Sequence, residues 1–312
     1  MAAVTRLRPG TWLVSLPFQG EHEIVGSYLL AGKNELAIID PGPGSTAEAL
    51  LATLREAGFE PQDVTHLIAT HIHLDHAGAT GTLLHAMPQA TVYVHSKGAP
   101  HLIDPSKLIV SASRIYGERM QELWGEIEAV PQARIHAFEG GDVLNVAGRR
   151  LEVHYTPGHA VHHVIFFDVH SGELFAGDVA GVLLPGIDYV RPPTPPPDID
   201  LEAWSESIDK LEYLRPDVLY LGHFGPTWNP SHHLERLRKK LFSWGEFVLS
   251  AMRDGKGEEE IIRMLISYTQ PELLRAAQQD KRALKRYEIA ANYAMSVQGY
   301  MRYWRKKHPE RL

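Results

Sequence analysis

Short apolar runs broken by glycine and proline fill the first 230 residues, and runs of helical period fill the rest. Thr11–Phe18 and Ile24–Leu30 alternate or stay apolar in the manner of strands, and Glu35–Ile39 continues in that style. Gly20 and Gly32-Lys33-Asn34 mark the turns between them. Asp40-Pro41-Gly42-Pro43-Gly44 breaks the chain ahead of a helix that Ser45 can cap and Gly58 ends. The apolar run at 64–69 reads as a buried strand, and Thr91–His95 as another. Residues 105–126 read as one helix, with Leu108, Ile115, Met120, Leu123 and Trp124 supplying apolar faces. Strands resume at 134–138, 142–146, 149–156, 163–168 and 173–176. The proline-rich segment Arg191-Pro192-Pro193-Thr194-Pro195-Pro196-Pro197 predicts a stiff, extended connector, followed by a helix over 200–214 and a strand at 218–221.

Beyond Pro230 the pattern predicts helices over 231–254, 257–268 and 281–306. Ile289, Tyr293, Val297, Tyr300 and Trp304 recur on one face of the last, the spacing of a packing stripe. The expected organisation is a catalytic domain over 1–230 and a helical extension over 231–312.

The chain of 312 residues is long enough to bury a large core, and no apolar run reaches the ~20 residues of a membrane span. Met1 to Gly10 carries Arg6 and Arg8 with no apolar stretch of signal-peptide type behind them, which predicts a cytoplasmic protein. The absence of cysteine excludes disulfides, thiolate ligands and a cysteine nucleophile together. Charge is distributed unevenly. Residues 1–230 hold 14 Lys+Arg against 28 Asp+Glu, whereas 231–312 hold 17 against 10, within a net charge of −7. The basic tail reads first as solvated helix faces and second as an attractor of an anionic substrate or nucleic acid.

The chemistry concentrates in Thr70-His71-Ile72-His73-Leu74-Asp75-His76, four ligand-type side chains within six residues at the end of a strand. So much polarity beside a core is costly unless something pairs with it, and a cation of the zinc, manganese or iron kind suits imidazole and carboxylate donors. Three later residues share the same setting, where an apolar strand meets a turn: His159 in Thr156-Pro157-Gly158-His159, Asp178 in Ala176-Gly177-Asp178 and His223 in Leu221-Gly222-His223. Loops at strand ends build sites on one sheet edge in layered folds.

On these residues the chain resembles the metallo-β-lactamase superfamily, whose signature is His-x-His-x-Asp-His, then Gly-His, then Asp, then a last His. Asp40, in Ile38-Ile39-Asp40-Pro41-Gly42, matches a further recurrent Asp, and the resemblance spans about residues 11–230. It implies an α/β fold, a four-layer αβ/βα sandwich here followed by the helical extension, with a dinuclear centre of two divalent metal ions, zinc first and iron or manganese next. His71, His73 and His159 would hold one ion, Asp75, His76 and His223 the other, and Asp178 would bridge them. A shared water made acidic by both ions would attack a carbonyl carbon or a phosphorus, with Asp75 orienting it.

Relatives with a Cys ligand are excluded, as are flavin-linked diiron reductases, which carry Glu where this chain has His73. Acyl-homoserine lactonases commonly place a Tyr where this chain has Gly181, which weakens a lactonase reading. The helical tail is similar in position and kind to that of hydroxyacylglutathione hydrolases (glyoxalase II) and to that of a lactamase-like endoribonuclease group. The first expectation is a hydrolase of small carboxylic thioesters or esters. The second is a phosphodiesterase or ribonuclease using Arg236, Arg238, Lys239 and Lys240, and the third a scaffold without catalysis. Tyr116, Met120, Trp124, Leu184 and Tyr189 are candidate pocket residues, His162 and His163 candidate supports of the ligands, and His232 and His233 expected surface groups. A homo-oligomer is compatible with all of this; a membrane partner is not.

Overall fold

The computed structural model describes residues 3–312. Among these, strands form two sheets. The first holds β1 (Ala3–Arg8), β2 (Thr11–Phe18), β3 (Glu21–Ala31), β4 (Leu36–Ile39), β5 (Val64–Ile68), β6 (Thr91–His95) and β7 (Ile135–Phe138), side by side in that order. Pairing is antiparallel from β1 to β4 and parallel from β4 to β7. The second sheet runs β13-β12-β11-β10-β9-β8, built from β8 (Val143–Val146), β9 (Arg149–Tyr155), β10 (Val164–Asp168), β11 (Glu173–Val182), β12 (Val218–His223) and β13 (Gly225–Thr227). The helices are α1 (Ala47–Glu56), α2 (Leu74–Ala77), α3 (Thr80–Leu83), α4 (Ala99–Ile103), α5 (Ser106–Tyr116), α6 (Met120–Trp124), α7 (Leu201–Leu214), α8 (Pro230–Arg253), α9 (Glu258–Ala276), α10 (Arg282–Ala290) and α11 (Tyr293–Lys307). No helix among the described residues is long and apolar enough to cross a membrane.

Packing divides the chain into two compact units. The first comprises the residues up to Tyr155 together with His162–Gly177. Its core is a sheet-on-sheet sandwich: Tyr28 of β3 meets Phe175 of β11 edge to face at 5.5 Å, and Phe138 of β7 meets Phe166 of β10 at 5.8 Å. The wholly apolar β4 and the nearly apolar β10 are buried along their entire length, which is why neither alternates. At one edge Arg149 reaches Glu173 at 2.5 Å and Asp168 at 3.1 Å, tying β9 to the β10–β11 hairpin.

The second unit comprises Thr156–Val161 and Asp178–Leu312. Arg191 is fully buried at its centre and donates to the carbonyls of Tyr287 and Ala291 at 3.0 Å and to the Tyr293 hydroxyl at 2.7 Å. The Tyr293 ring lies under the guanidinium, 4.1 Å from its carbon to the ring centroid. Three hydrogen bonds and aromatic faces surround the cation, and the Glu288 carboxylate lies within electrostatic reach of it. Tyr293, Val297, Tyr300 and Trp304 are buried, as expected of a packing stripe.

Several elements differ from the sequence expectation. The single helix expected over 105–126 is α5 and α6, because Gly117 turns the backbone to φ +53°. The helix expected over 281–306 is α10 and α11, broken where Asn292 caps the second by accepting from Met295 N. Ser45 caps nothing; its hydroxyl donates to Leu123 O at 2.7 Å and ties the start of α1 to α6. The proline-rich connector is largely buried from Arg191 to Thr194. His233, expected at the surface, is buried and donates from Nε2 to Ala180 O at 2.7 Å. A boundary at residue 230 is a different division from the one made by packing.

Candidate metal centre

The His-rich loop leaves β5 at Ile68 and enters α2 at Leu74, so His71, Ile72 and His73 lie outside regular secondary structure. Their geometry is imposed from outside. Asp40 follows β4 in the left-handed region at φ +53°, which a short polar residue tolerates. From there its carboxylate accepts Thr70 N at 2.8 Å on Oδ1, and the Thr70 hydroxyl at 2.8 Å and His76 Nδ1 at 3.0 Å on Oδ2. Gly42, at φ +87°, donates its amide to His76 O and gives its own carbonyl to Ala79 N, clasping this turn to α2.

These bonds assign protons. A carboxylate only accepts, so His76 carries its proton on Nδ1 and a lone pair on Nε2. Thr70 has one hydroxyl hydrogen and gives it to Asp40. Its oxygen therefore accepts from His71 Nδ1 at 3.0 Å, leaving His71 with a lone pair on Nε2 as well. Both rings are buried, and their centroids are 4.1 Å apart; the half-exposed His73 ring stands 4.6 Å from that of His71.

His159 obeys the same rule. Its Nδ1 lies 2.9 Å from the Pro193 carbonyl, which can only accept, so Nε2 again carries the lone pair. The turn that presents it has Gly158 at φ +128°, with Trp204 packed where a side chain would stand. Trp204 meets the His159 ring edge-on at 5.5 Å and donates its indole N–H to Val179 O at 2.7 Å. Asp178 lies inside β11 rather than at a strand end, and β12 continues to His223. Asp178 Oδ2 stands 3.5 Å from His159 Nε2 and 3.6 Å from His223 Nε2. Those separations are long for hydrogen bonds. They match two donors that share one tetrahedral ion at bonds of about 2.0–2.2 Å, which stand about 3.4 Å apart.

Three groups have ligand-type atoms within 4.8 Å of one another: His71, His73 and His159; His71, His76 and Asp178; and Asp75, His76 and His223. All seven residues read from the motif occur in these groups, and each group suits a divalent cation by donor chemistry.

A family model for the metallo-beta-lactamase superfamily matches residues 23–223. The chain belongs to that superfamily. It is 30% identical over 223 residues to the metallo-beta-lactamase fold-containing protein ST1585 of Sulfurisphaera tokodaii, covering 70% of this chain and 79% of that protein. Among solved structures it is similar to the metallo-beta-lactamase family protein TTHA1429 of Thermus thermophilus, with a TM-score of 0.69 at 26% identity. That match covers 97% of this chain and 95% of the other, the C-terminal helices included. It is also 29% identical over 152 residues to a hydroxyacylglutathione hydrolase of Acaryochloris marina, covering 47% of this chain but only 46% of that enzyme. The fold is thus the metallo-beta-lactamase sandwich with C-terminal helices, in a superfamily of metal-dependent hydrolases.

Of the pocket residues expected from sequence, Trp124 packs between Phe18 and Tyr116, with centroids 5.4 and 5.1 Å away. Burial, and after it the Asp75 carboxylate, raises the Tyr116 hydroxyl well above its ordinary value, so it stays a proton donor. Met120 is half-buried at the start of the same short helix. Tyr189 is placed otherwise: it is fully buried, edge-on to Tyr287 and beneath the Lys240 ammonium, a packing position rather than a pocket wall. Thr70 and the Pro193 carbonyl escaped the sequence reading because neither is a ligand type; each acts on a ring nitrogen of a ligand-type histidine.

Proposed function

We propose that the protein hydrolyses small carboxylic thioesters or esters at a dinuclear centre. His71, His73 and His159 would hold one divalent cation and Asp75, His76 and His223 the second, with Asp178 a further carboxylate ligand. The observation that carries the assignment is the fixed tautomer of His71, His76 and His159, each donating its Nδ1–H to a defined acceptor and so offering Nε2. Zinc is the first choice of cation for an all-His and carboxylate set. When bound, the cations supply Lewis acidity and make a water acidic near pH 7. The remaining work belongs to side chains. Asp40 keeps the two buried imidazoles in register, Asp75 is the residue assigned to orient the attacking group, and Tyr116, packed on Trp124, lies within electrostatic reach of Asp75. Tyr116, held protonated, is available to donate to a substrate oxygen.

The charge arrangement favours a small substrate over a polyanion. Arg236 pairs with Asp188, Arg238 with Asp209 and Glu212, Lys239 with Glu235, and Lys240 with Glu272. The four basic residues of the nucleic-acid reading are thus already paired with carboxylates, which leaves them less charge for releasing counterions from RNA. The similarity to a hydroxyacylglutathione hydrolase points the same way.

The test is a screen of metal-loaded protein on thioesters, esters, lactones, phosphodiesters and β-lactams. Thioester turnover that a chelator and His73→Ala both abolish is the expected result. Cleavage confined to phosphodiesters, or well under one equivalent of bound metal after reconstitution, overturns the reading.

A further inference from the structure

Two side chains hold the backbone of the ligand-bearing loop. Asp40 takes the amide of Thr70, just ahead of His71. His162 takes the amide of Ile72, between His71 and His73, with 3.3 Å from Ile72 N to His162 Nδ1. Ile72 is buried, and a buried amide without an acceptor is costly. Since a backbone amide can only donate, His162 Nδ1 carries a lone pair, and the neutral ring bears its proton on Nε2. That tautomer is opposite to the one found in His71, His76 and His159, so this imidazole is committed differently from its neighbours. It lies parallel to His71, 6.2 Å away with 13° between planes, and edge-on to His73 at 5.7 Å and 88°.

We propose that His162 is a positioning residue for the first metal site and not one of its ligands. By fixing the Ile72 peptide it sets the relation between His71 and His73, which flank that residue on a stretch outside helix and strand. The proposal rests on the ligand assignment made above and adds a requirement to it: an acceptor at the place of His162 Nδ1, with no need for an imidazole.

Asn and Leu are nearly isosteric and differ at this point. Asn Oδ1 lies as many bonds from the backbone as His Nδ1 and can accept the Ile72 amide, whereas Leu cannot. His162→Asn and His162→Leu are therefore compared with the wild-type chain by chelator competition for cobalt and zinc, by the visible spectrum of the cobalt form and by melting of the metal-free protein. The expected result is His162→Asn within about threefold of wild-type affinity, with its cobalt bands retained. His162→Leu should bind one equivalent of metal about 10- to 100-fold more weakly, the range usual for lost supports of a ligand, with altered bands and a metal-free form that still melts cooperatively. If the leucine chain does not fold, His162→Ala takes its place against the same criteria. The proposal is overturned if the apolar variant binds metal as tightly as wild type, or if folded His162→Asn is as weak as His162→Leu. Wild-type protein that binds no metal overturns it along with the ligand assignment. Wild-type protein that binds two equivalents but cleaves no thioester sinks the substrate reading, and the variants still decide this one.

Discussion

Asp40→Asn is the perturbation that most directly tests how this site is organised. The carboxylate accepts three hydrogen bonds within the buried core: Thr70 N at 2.8 Å, the Thr70 hydroxyl at 2.8 Å and His76 Nδ1 at 3.0 Å. An asparagine keeps Oδ1 for the Thr70 amide but sets an NH2 group against two donors. Relief comes only by moving protons. His76 must shift its proton to Nε2 to accept from the new amide. The Thr70 hydroxyl must turn to His71 Nδ1, which drives the His71 proton to Nε2. Both nitrogens offered to metal then carry hydrogen. Each bond lost to a charged acceptor is worth about 1.5–3 kcal/mol, and disturbed supports of metal ligands typically cost about 10- to 100-fold in affinity. With two ligands affected at once, the expected loss is about 100-fold, or about 2.7 kcal/mol. Competition against a chromophoric chelator measures it, with a denaturant titration of the metal-free protein to show that the chain folds. Thr70→Ser, which retains the relay, should bind metal like wild type. If Asp40→Asn binds both equivalents within threefold of wild type, the proton assignment through Asp40 is wrong.

Three other consequences can be measured. Burial, opposed by the bond to Ala180 O, pushes His233 down to about 4 from 6.5, so the unfolded chain takes up its proton first as pH falls. Stability should therefore drop by about 3 kcal/mol between pH 6.5 and 4, a slope that His233→Gln lacks; parallel curves for the two proteins would contradict this. Gly158→Ala adds a Cβ against Trp204 at φ +128° and should cost about 3 kcal/mol in a denaturant titration while weakening metal binding through His159; a shift under about 1 kcal/mol would mean that the turn relaxes. Arg191→Met leaves the Tyr287 and Ala291 carbonyls and the Tyr293 hydroxyl without their donor, and should destabilise by about 3–5 kcal/mol; near-neutrality would show that the cation is dispensable.

Where local chemistry decides, sequence was sufficient. The apolar runs of β2 and β6 are read to the residue, and the ligand-type residues His71, His73, Asp75, His76, His159, Asp178 and His223 stand in a spacing with few other uses. The helix breaks at Gly117 and Asn292 carried local signals too, but apolar periodicity across them was the stronger pattern. Partners distant along the chain were beyond reach. Pro193 lies 34 residues from the His159 ring whose tautomer it sets, His162 lies 90 from the Ile72 amide, and the Tyr287 carbonyl lies 96 from Arg191. Residue types and their periods therefore located most strands, most helices and the candidate ligand residues, while β1, β13 and the length of β11 escaped them. Which nitrogen of each imidazole faces inward, and that Tyr189 and His233 are interior, was decided by tertiary structure alone. The physical reason is that a tautomer and a burial depend on which acceptor or ring arrives from elsewhere, and no local preference encodes that arrival.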